Sequence, residues 1–126
     1  SDSFDTVFLI ASLHHLPRQY HERALGEAYR VLKKGGTMRM TNFNLWRWSF
    51  AGKTVWKYAR FFSGRSLKDV TTYWHNHPLY YYAFTLNELK RHSLATGFHL
   101  IEAYYVRDGY QAHFWNGHNL VLVAKK

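Results

Sequence analysis

The chain has 126 residues, 47% of them hydrophobic and 20% charged, a balance that suits one folded domain and excludes an extended disordered chain. Cysteine is absent, which rules out a disulfide framework, a thiolate metal site and a cysteine nucleophile. A formal charge of +9 points toward an anionic partner.

Phe4 to Ala11 reads FDTVFLIA, nearly continuous and rich in β-branched and aromatic residues, which predicts a strand buried on both faces. Asp5 is placed at its entry and is read as structural. Ser12 to His15 leave the strand, and Pro17 opens a helix predicted over Arg18 to Lys33. Ala24, Leu25, Ala28, Val31 and Leu32 share one face of it. Gly26, costly inside a helix, implies close packing, while Glu27 and Arg30 read as a surface pair. Lys33 and Lys34 complement the helix C-terminus, Gly35 supplies a left-handed cap, and Thr37 to Phe43 forms a second strand.

This strand–helix–strand unit places a polar His14-His15 pair at the carboxyl end of the first strand, where open α/β sheets bind their ligands. A zinc site made by these two residues with His21 lacks carboxylates at ligand spacing, so no metal is expected. The regular pattern then breaks. Trp46 to Phe62 can form a helix with Trp48, Val55, Trp56, Ala59 and Phe62 on one side and Lys53, Lys57 and Arg60 on the other. Arg65 to Pro78 reads as an irregular loop. Thr85 then caps a helix with Glu88 in the capping-box position and Gly97 as its stop. Two last strands, Phe98 to Val106 and Asn119 to Ala124, are joined as an antiparallel hairpin with a long tip.

The charge is local. Residues 1–36 carry +1, residues 37–84 carry +6 and residues 85–126 carry +2, and the middle segment holds 14 of the 24 aromatic residues. Lys53, Lys57, Arg60, Arg65 and Lys68 could track phosphates while neighbouring rings stack on unpaired bases. The same segment could instead lie on an anionic membrane, or serve as a lid whose charged face is simply solvated. No apolar run approaches the length of a membrane span, and nothing before Phe4 reads as a secretory signal, so a cytoplasmic location is expected and a membrane partner is not. The first residue is not Met, so the chain is expected to be processed or cut from something longer.

The stretches SFDTVFLIASLHHL, EAYRVLKKGGTMRM, FTLNELKRHSLATGF and NLVLVAKK, in this order, resemble the C-terminal half of a class I S-adenosylmethionine-dependent methyltransferase. Lys68-Asp69-Val70, Trp74 and YYYAFTLNEL at 80–89 are similar to the branch containing tRNA wobble-uridine carboxymethyl methyltransferases. The resemblance implies an α/β fold, namely half of a Rossmann-like sheet with parallel strands, a final antiparallel pair and helices packed on it. It divides the chain into a strand–helix–strand unit over 1–43, a basic aromatic insert or lid over 44–84, and a helix with the terminal strands over 85–126. It implies that Ala11, Ser12, Leu13 and His14 line the methionine part of the cofactor S-adenosylmethionine. His15, Asn42, Asn44, Tyr80 and Tyr82 then become candidates for the methyl acceptor, and the five basic residues candidates for tRNA or other RNA.

One departure is large: the family's glycine-rich cofactor loop is missing, because no GxG occurs anywhere and Gly35-Gly36 reads as a helix stop. The resemblance therefore implies that a missing N-terminal half or a partner chain completes the site, and that this chain alone is inactive. Two other functions fit the same residues. One is a non-catalytic nucleic-acid-binding or interaction module pairing through its first strand, and the other is a methyltransferase for small molecules or lipids.

Overall fold

A computed structural model describes residues 2–47 and 68–126. Strand β1 (Phe4–Ile10) is followed by 3-10 turns at Leu13–His15 and Arg18–Tyr20, helix α1 (His21–Val31) and strand β2 (Leu32–Phe43). After the undescribed stretch come β3 (Asp69–Trp74), β4 (His77–Tyr82), helix α2 (Leu86–Ala95), β5 (His99–Arg107), β6 (Tyr110–Ala112) and β7 (Asn119–Lys125). The expected helix over Trp46 to Phe62 falls largely outside the described residues.

The main sheet has the order β1-β2-β7-β5-β6, and β3 and β4 form a separate antiparallel pair. β1 and β2 are parallel, while β7 lies between β2 and β5 and runs against both. The last strand is thus antiparallel to β1, β2 and β5, as expected. Its position between β2 and β5 makes Asn119 the partner of both Phe43 and Val106. The carboxyl ends of β2 and β5 and the amino end of β7 therefore meet at one edge of the sheet.

The core is built from alternate residues of the strands and one face of each helix. Met38, Met40, Leu120, Leu122 and Ala124 from the sheet pack with Leu25 and Ala28 of α1, Leu89 of α2 and the rings of Tyr82, Phe84 and Phe98. β1 departs from the expected two-sided burial. Val7 and Leu9 pack on the core, but Phe8 and Ile10 are 62% and 59% exposed on the other face. The reason is position: β1 is the edge of this sheet, and none of the described residues covers that face.

Helix α1 is shorter than its periodicity suggested. Leu32 is fully buried and pairs with Phe4, so the chain enters the sheet directly after Val31. The next sheet pair is Thr6 with Thr37, and Lys33 to Gly36 bulge out between them. Gly35 does adopt a left-handed conformation (φ +79°), but inside this bulge rather than at a helix cap. A side chain at Gly36 would sit 2.8 Å from the Lys33 carbonyl, so this glycine is required by close backbone approach. Lys33 pairs with Asp5 at 2.9 Å, which gives that carboxylate a structural partner at the strand entry. A methyl group placed on Gly26 would meet nothing within 4 Å, so close packing does not explain that glycine.

The stretch expected to be an irregular loop contains the β3–β4 hairpin. Its turn is His75-Asn76, both at positive φ (46° and 65°), the geometry of two-residue turns that match strand twist. Thr85 caps α2 as expected, accepting from the Glu88 N–H at 3.3 Å, and Gly97 (φ +105°) follows its end. The Glu88 carboxylate is turned inward. It accepts from Tyr82 Oη and from Lys68 Nζ, both at 2.7 Å.

Candidate functional site

The carboxyl edge of β1 and β2 is assembled by backbone-directed hydrogen bonds. Ala11, at a positive φ of 47°, ends β1 and donates its N–H to the Thr41 carbonyl (3.0 Å) and to Thr41 Oγ1 (3.1 Å). This bend sends the chain into the Leu13–His15 turn. Asn42 Oδ1 accepts from the His14 backbone N–H and lies 3.1 Å from His14 Nδ1. The Phe43 N–H donates toward the same Nδ1 at 3.4 Å, and the buried Nε2 has no hydrogen-bond partner among the described residues. His14 is 0% exposed. Burial, reinforced by the neighbouring His15, depresses its pKa to about 4 despite the opposing Asn42 bond, so the ring is neutral near pH 7.

Four rings gather over this turn. His14 stacks on Tyr81 with centroids 5.3 Å apart and planes 12° apart, and it contacts Phe43 at 4.7 Å and His15 at 4.4 Å. His15 touches Tyr81 at 4.6 Å and donates from Nδ1 to the Tyr80 carbonyl at 3.0 Å, fixing β4 against the turn. Phe43 and Tyr81 continue outward as walls of a cavity of about 330 Å³. Its other walls come from Asn44, Leu45 and Arg47 after β2 and from His118 and Asn119 at the start of β7.

Asn44 fastens these elements together. Its Nδ2 donates to the Phe114 and Gly117 carbonyls (2.7 and 2.9 Å), and its Oδ1 accepts from the Trp46 N–H. The Asn44 N–H donates to the His118 carbonyl, and Trp46 Nε1 donates to the Ala83 carbonyl. The side-chain amide is thus committed to holding the cavity's shape.

The sequence candidates are distributed unevenly over this edge. Ala11 and Ser12 present surface at the end of β1, whereas Leu13 belongs to the core and His14 supports the rings from beneath. His15 is exposed beside the cavity walls, Asn42 is buried beneath His14, and Asn44 lines the cavity. Tyr82 is 1% exposed, and its hydroxyl pairs with Glu88. Tyr80 is partly buried with its hydroxyl on Asp69. Of the three consecutive tyrosines it is Tyr81 that reaches the cavity. Strand alternation put Tyr80 and Tyr82 on one face, and that face is the one turned to the core. Arg47, Tyr81, Phe43, His118 and Asn119 were not singled out from sequence. The available signal for Phe43, Tyr81, His118 and Asn119 was their position at or next to strand ends; Arg47, four residues beyond β2, carried none.

Lys53, Lys57, Arg60 and Arg65 lie outside the described residues. Lys68 is described and makes an ion pair with Glu88, a carboxylate only 4% exposed. Burial alone would raise the Glu88 pKa, but the bonds from Lys68 and Tyr82 and the Lys68 charge outweigh it and hold the acid ionised below its ordinary value. Among the described residues no group of histidines and acids is arranged to hold a metal ion, and no helix is long and apolar enough to cross a membrane.

Comparison with known proteins gives this edge a context. The methyltransferase domain family matches residues 1–40. A protein of Encephalitozoon cuniculi named as a methyltransferase is 33% identical over 104 residues, covering 79% of this chain and 47% of that protein. The chain thus spans about half the length of this curated relative. Among solved structures, an S-adenosylmethionine-dependent methyltransferase from Methanosarcina mazei is similar with a TM-score of 0.75 at 19% identity, over 99% of this chain and 60% of that one. The 1,6-didemethyltoxoflavin-N1-methyltransferase of Burkholderia thailandensis, solved with bound 1,6-didemethyltoxoflavin and S-adenosylhomocysteine, is similar with a TM-score of 0.64 at 20% identity, over 99% of this chain and 44% of that one. At these identities the structures establish the fold, and the sequence matches carry the relationship. Together they show what this chain is similar to: S-adenosylmethionine-dependent methyltransferases, in sequence over residues 1–40 and in fold over 99% of its length.

Proposed function

We propose that this chain takes part in methyl transfer from S-adenosylmethionine and supplies the acceptor side of the site. The observation that carries this reading is the ring-walled cavity at the carboxyl end of β2, whose Phe43 and Tyr81 walls rest on His14 in the turn that follows β1. In open α/β sheets this edge is where ligands bind. The residues present fit one wall of a cofactor site: Ala11 and Ser12 offer accessible surface there, with Leu13 and His14 rigidly packed behind them. The glycine-rich loop of the family lies in none of these 126 residues, and we propose that it comes from a segment or chain beyond them.

When bound, the cofactor supplies an electrophilic methyl group open to in-line displacement. What this chain contributes is position and dryness. The rings of Phe43 and Tyr81 hold a flat acceptor in one plane and keep water from its edge, effects that lower the barrier without a proton transfer by the protein. His14, neutral and buried, serves to fix those rings and is not placed as a general base. A tRNA acceptor is supported by the charge of residues 37–84 and by a cavity that would admit a single base.

Amide spectra recorded while S-adenosylhomocysteine is titrated into the 126-residue chain, and into the full product of its gene, test the reading. Ala11 and Ser12 are expected to shift in both, more strongly in the longer form. Unmoved Ala11 and Ser12 signals in both forms would refute it.

A further inference from the structure

We propose that His92 works as a proton-operated clamp: its imidazolium, and not its neutral ring, joins Glu22 of α1 to Glu88 of α2. The ring is 8% exposed and stands between the two acids, with Nδ1 3.4 Å from Glu22 Oε1 and Nε2 4.0 Å from Glu88 Oε1. An ionised carboxylate only accepts and a neutral imidazole has one N–H, so the neutral ring turns a lone pair toward one of them. The Glu88 contact is accordingly beyond hydrogen-bond reach, and Nε2 has no partner among the described residues. A proton on the ring makes donors of both nitrogens. The open contact then closes toward the length of a charge-assisted bond, about 2.8 Å.

Protons reach the ring from a cleft of about 410 Å³ that His92 lines with Arg18, Gln19 and Glu22. Arg18 works against a second positive charge there, and Glu22 favours it. The other histidine of this contact is His21, its ring centroid 6.1 Å away. His21 Nε2 donates to the Leu16 carbonyl at 2.7 Å, and its buried Nδ1 has no partner among the described residues. Burial above all, then the nearness of His92 and Arg18, hold the His21 pKa below its ordinary value against the Leu16 bond and the Glu88 charge. The first proton taken up by this pair of rings therefore goes to His92. Glu88 carries the effect onward. The oxygen facing His92 is the one that accepts from Tyr82 Oη at 2.7 Å, and its other oxygen holds Lys68. Closing the clamp puts a second donor on the Tyr82 acceptor, one residue from the cavity wall Tyr81. The device does not depend on what the cavity binds.

Ring signals of His92 and Tyr82, followed by magnetic resonance from about pH 8 to about pH 5 on the 126-residue chain, test the clamp. Glu88→Gln, which removes the buried charge and keeps an acceptor for Tyr82 and Lys68, should lower the His92 midpoint by about one pH unit, a tenfold loss of proton affinity. Glu22→Gln should lower it by less, because Glu22 is largely exposed. Tyr82 should shift with the His92 midpoint, and His92→Gln should abolish that step while leaving the one at lower pH that belongs to His21. An unmoved His92 midpoint in either acid variant would overturn the clamp. A Tyr82 step that persists at the same pH in His92→Gln would overturn its link to the hairpin. Should Glu88→Gln fail to fold, the exposed Glu22→Gln change and His92→Gln still decide the matter by the same criteria.

Discussion

His14 shows how one buried side chain can support two walls of a cavity from beneath. Its buried imidazole is held neutral by desolvation, and the bond to Asn42 orients it beneath Phe43 and Tyr81. A histidine whose folded pKa lies below the unfolded value of about 6.5 gives stability that is complete above that value and lost as pH falls toward 4. His21, buried with its Nε2–H on the Leu16 carbonyl, is shifted the same way by burial. Urea midpoints should therefore fall between about pH 6.5 and about pH 4.5. In His14→Gln this slope should be shallower by up to about 3 kcal/mol in unfolding free energy over the full window. Gly26 makes the opposite kind of prediction. It sits in the middle of α1 with open space where a methyl would go, so Gly26→Ala should stabilise the fold by about 0.5–1 kcal/mol, read as a higher thermal midpoint.

The elements are held in place by a few polar ties. Lys68, at the start of the β3–β4 hairpin, reaches Glu88 in α2, and Tyr82 at the end of β4 shares the same carboxylate. Cutting the cation away leaves a buried acid without its ion pair. Lys68→Met should cost about 3 kcal/mol in chemical denaturation, and the double change Lys68→Met with Glu88→Gln should recover part of it. The hairpin carries Tyr81 into the cavity, so loosening this tie should also loosen that wall. The basic segment makes a separate prediction. Replacing Lys53, Lys57 and Arg60 with Glu should weaken binding to tRNA and flatten its dependence on potassium chloride in anisotropy titrations, because fewer phosphate contacts release fewer counterions. Unchanged affinity and slope would remove RNA from the proposal.

At the scale of the whole molecule, the sheet ends on β1 with Phe8 and Ile10 facing outward. An apolar edge strand is a template for pairing, so the isolated chain should self-associate, and Phe8→Lys with Ile10→Lys should shift sedimentation velocity toward monomer. By itself the sequence determined the strand–helix–strand start, the Thr85-capped helix and the final hairpin. Each of these is written in short-range chemistry: hydrophobic period, a capping hydroxyl, a glycine after a helix. It misplaced the end of α1, because a Leu32 that continues the helical pattern also fits a buried sheet position, and pairing with Phe4 decided between them. The β3–β4 turn was hidden because His75-Asn76 lacks the glycine that usually marks such a bend. Only the tertiary structure decided that Tyr81, rather than Tyr80 or Tyr82, walls the cavity, and that Arg47 and His118 meet there. Those residues are separated by 34 to 71 positions in the chain, and what brings them together is the insertion of β7 beside β2 and the docking of β4 on the His14 turn. Local pattern records which residues face a core, but which strand lies beside which is set by packing of the whole sheet, and the site is made there.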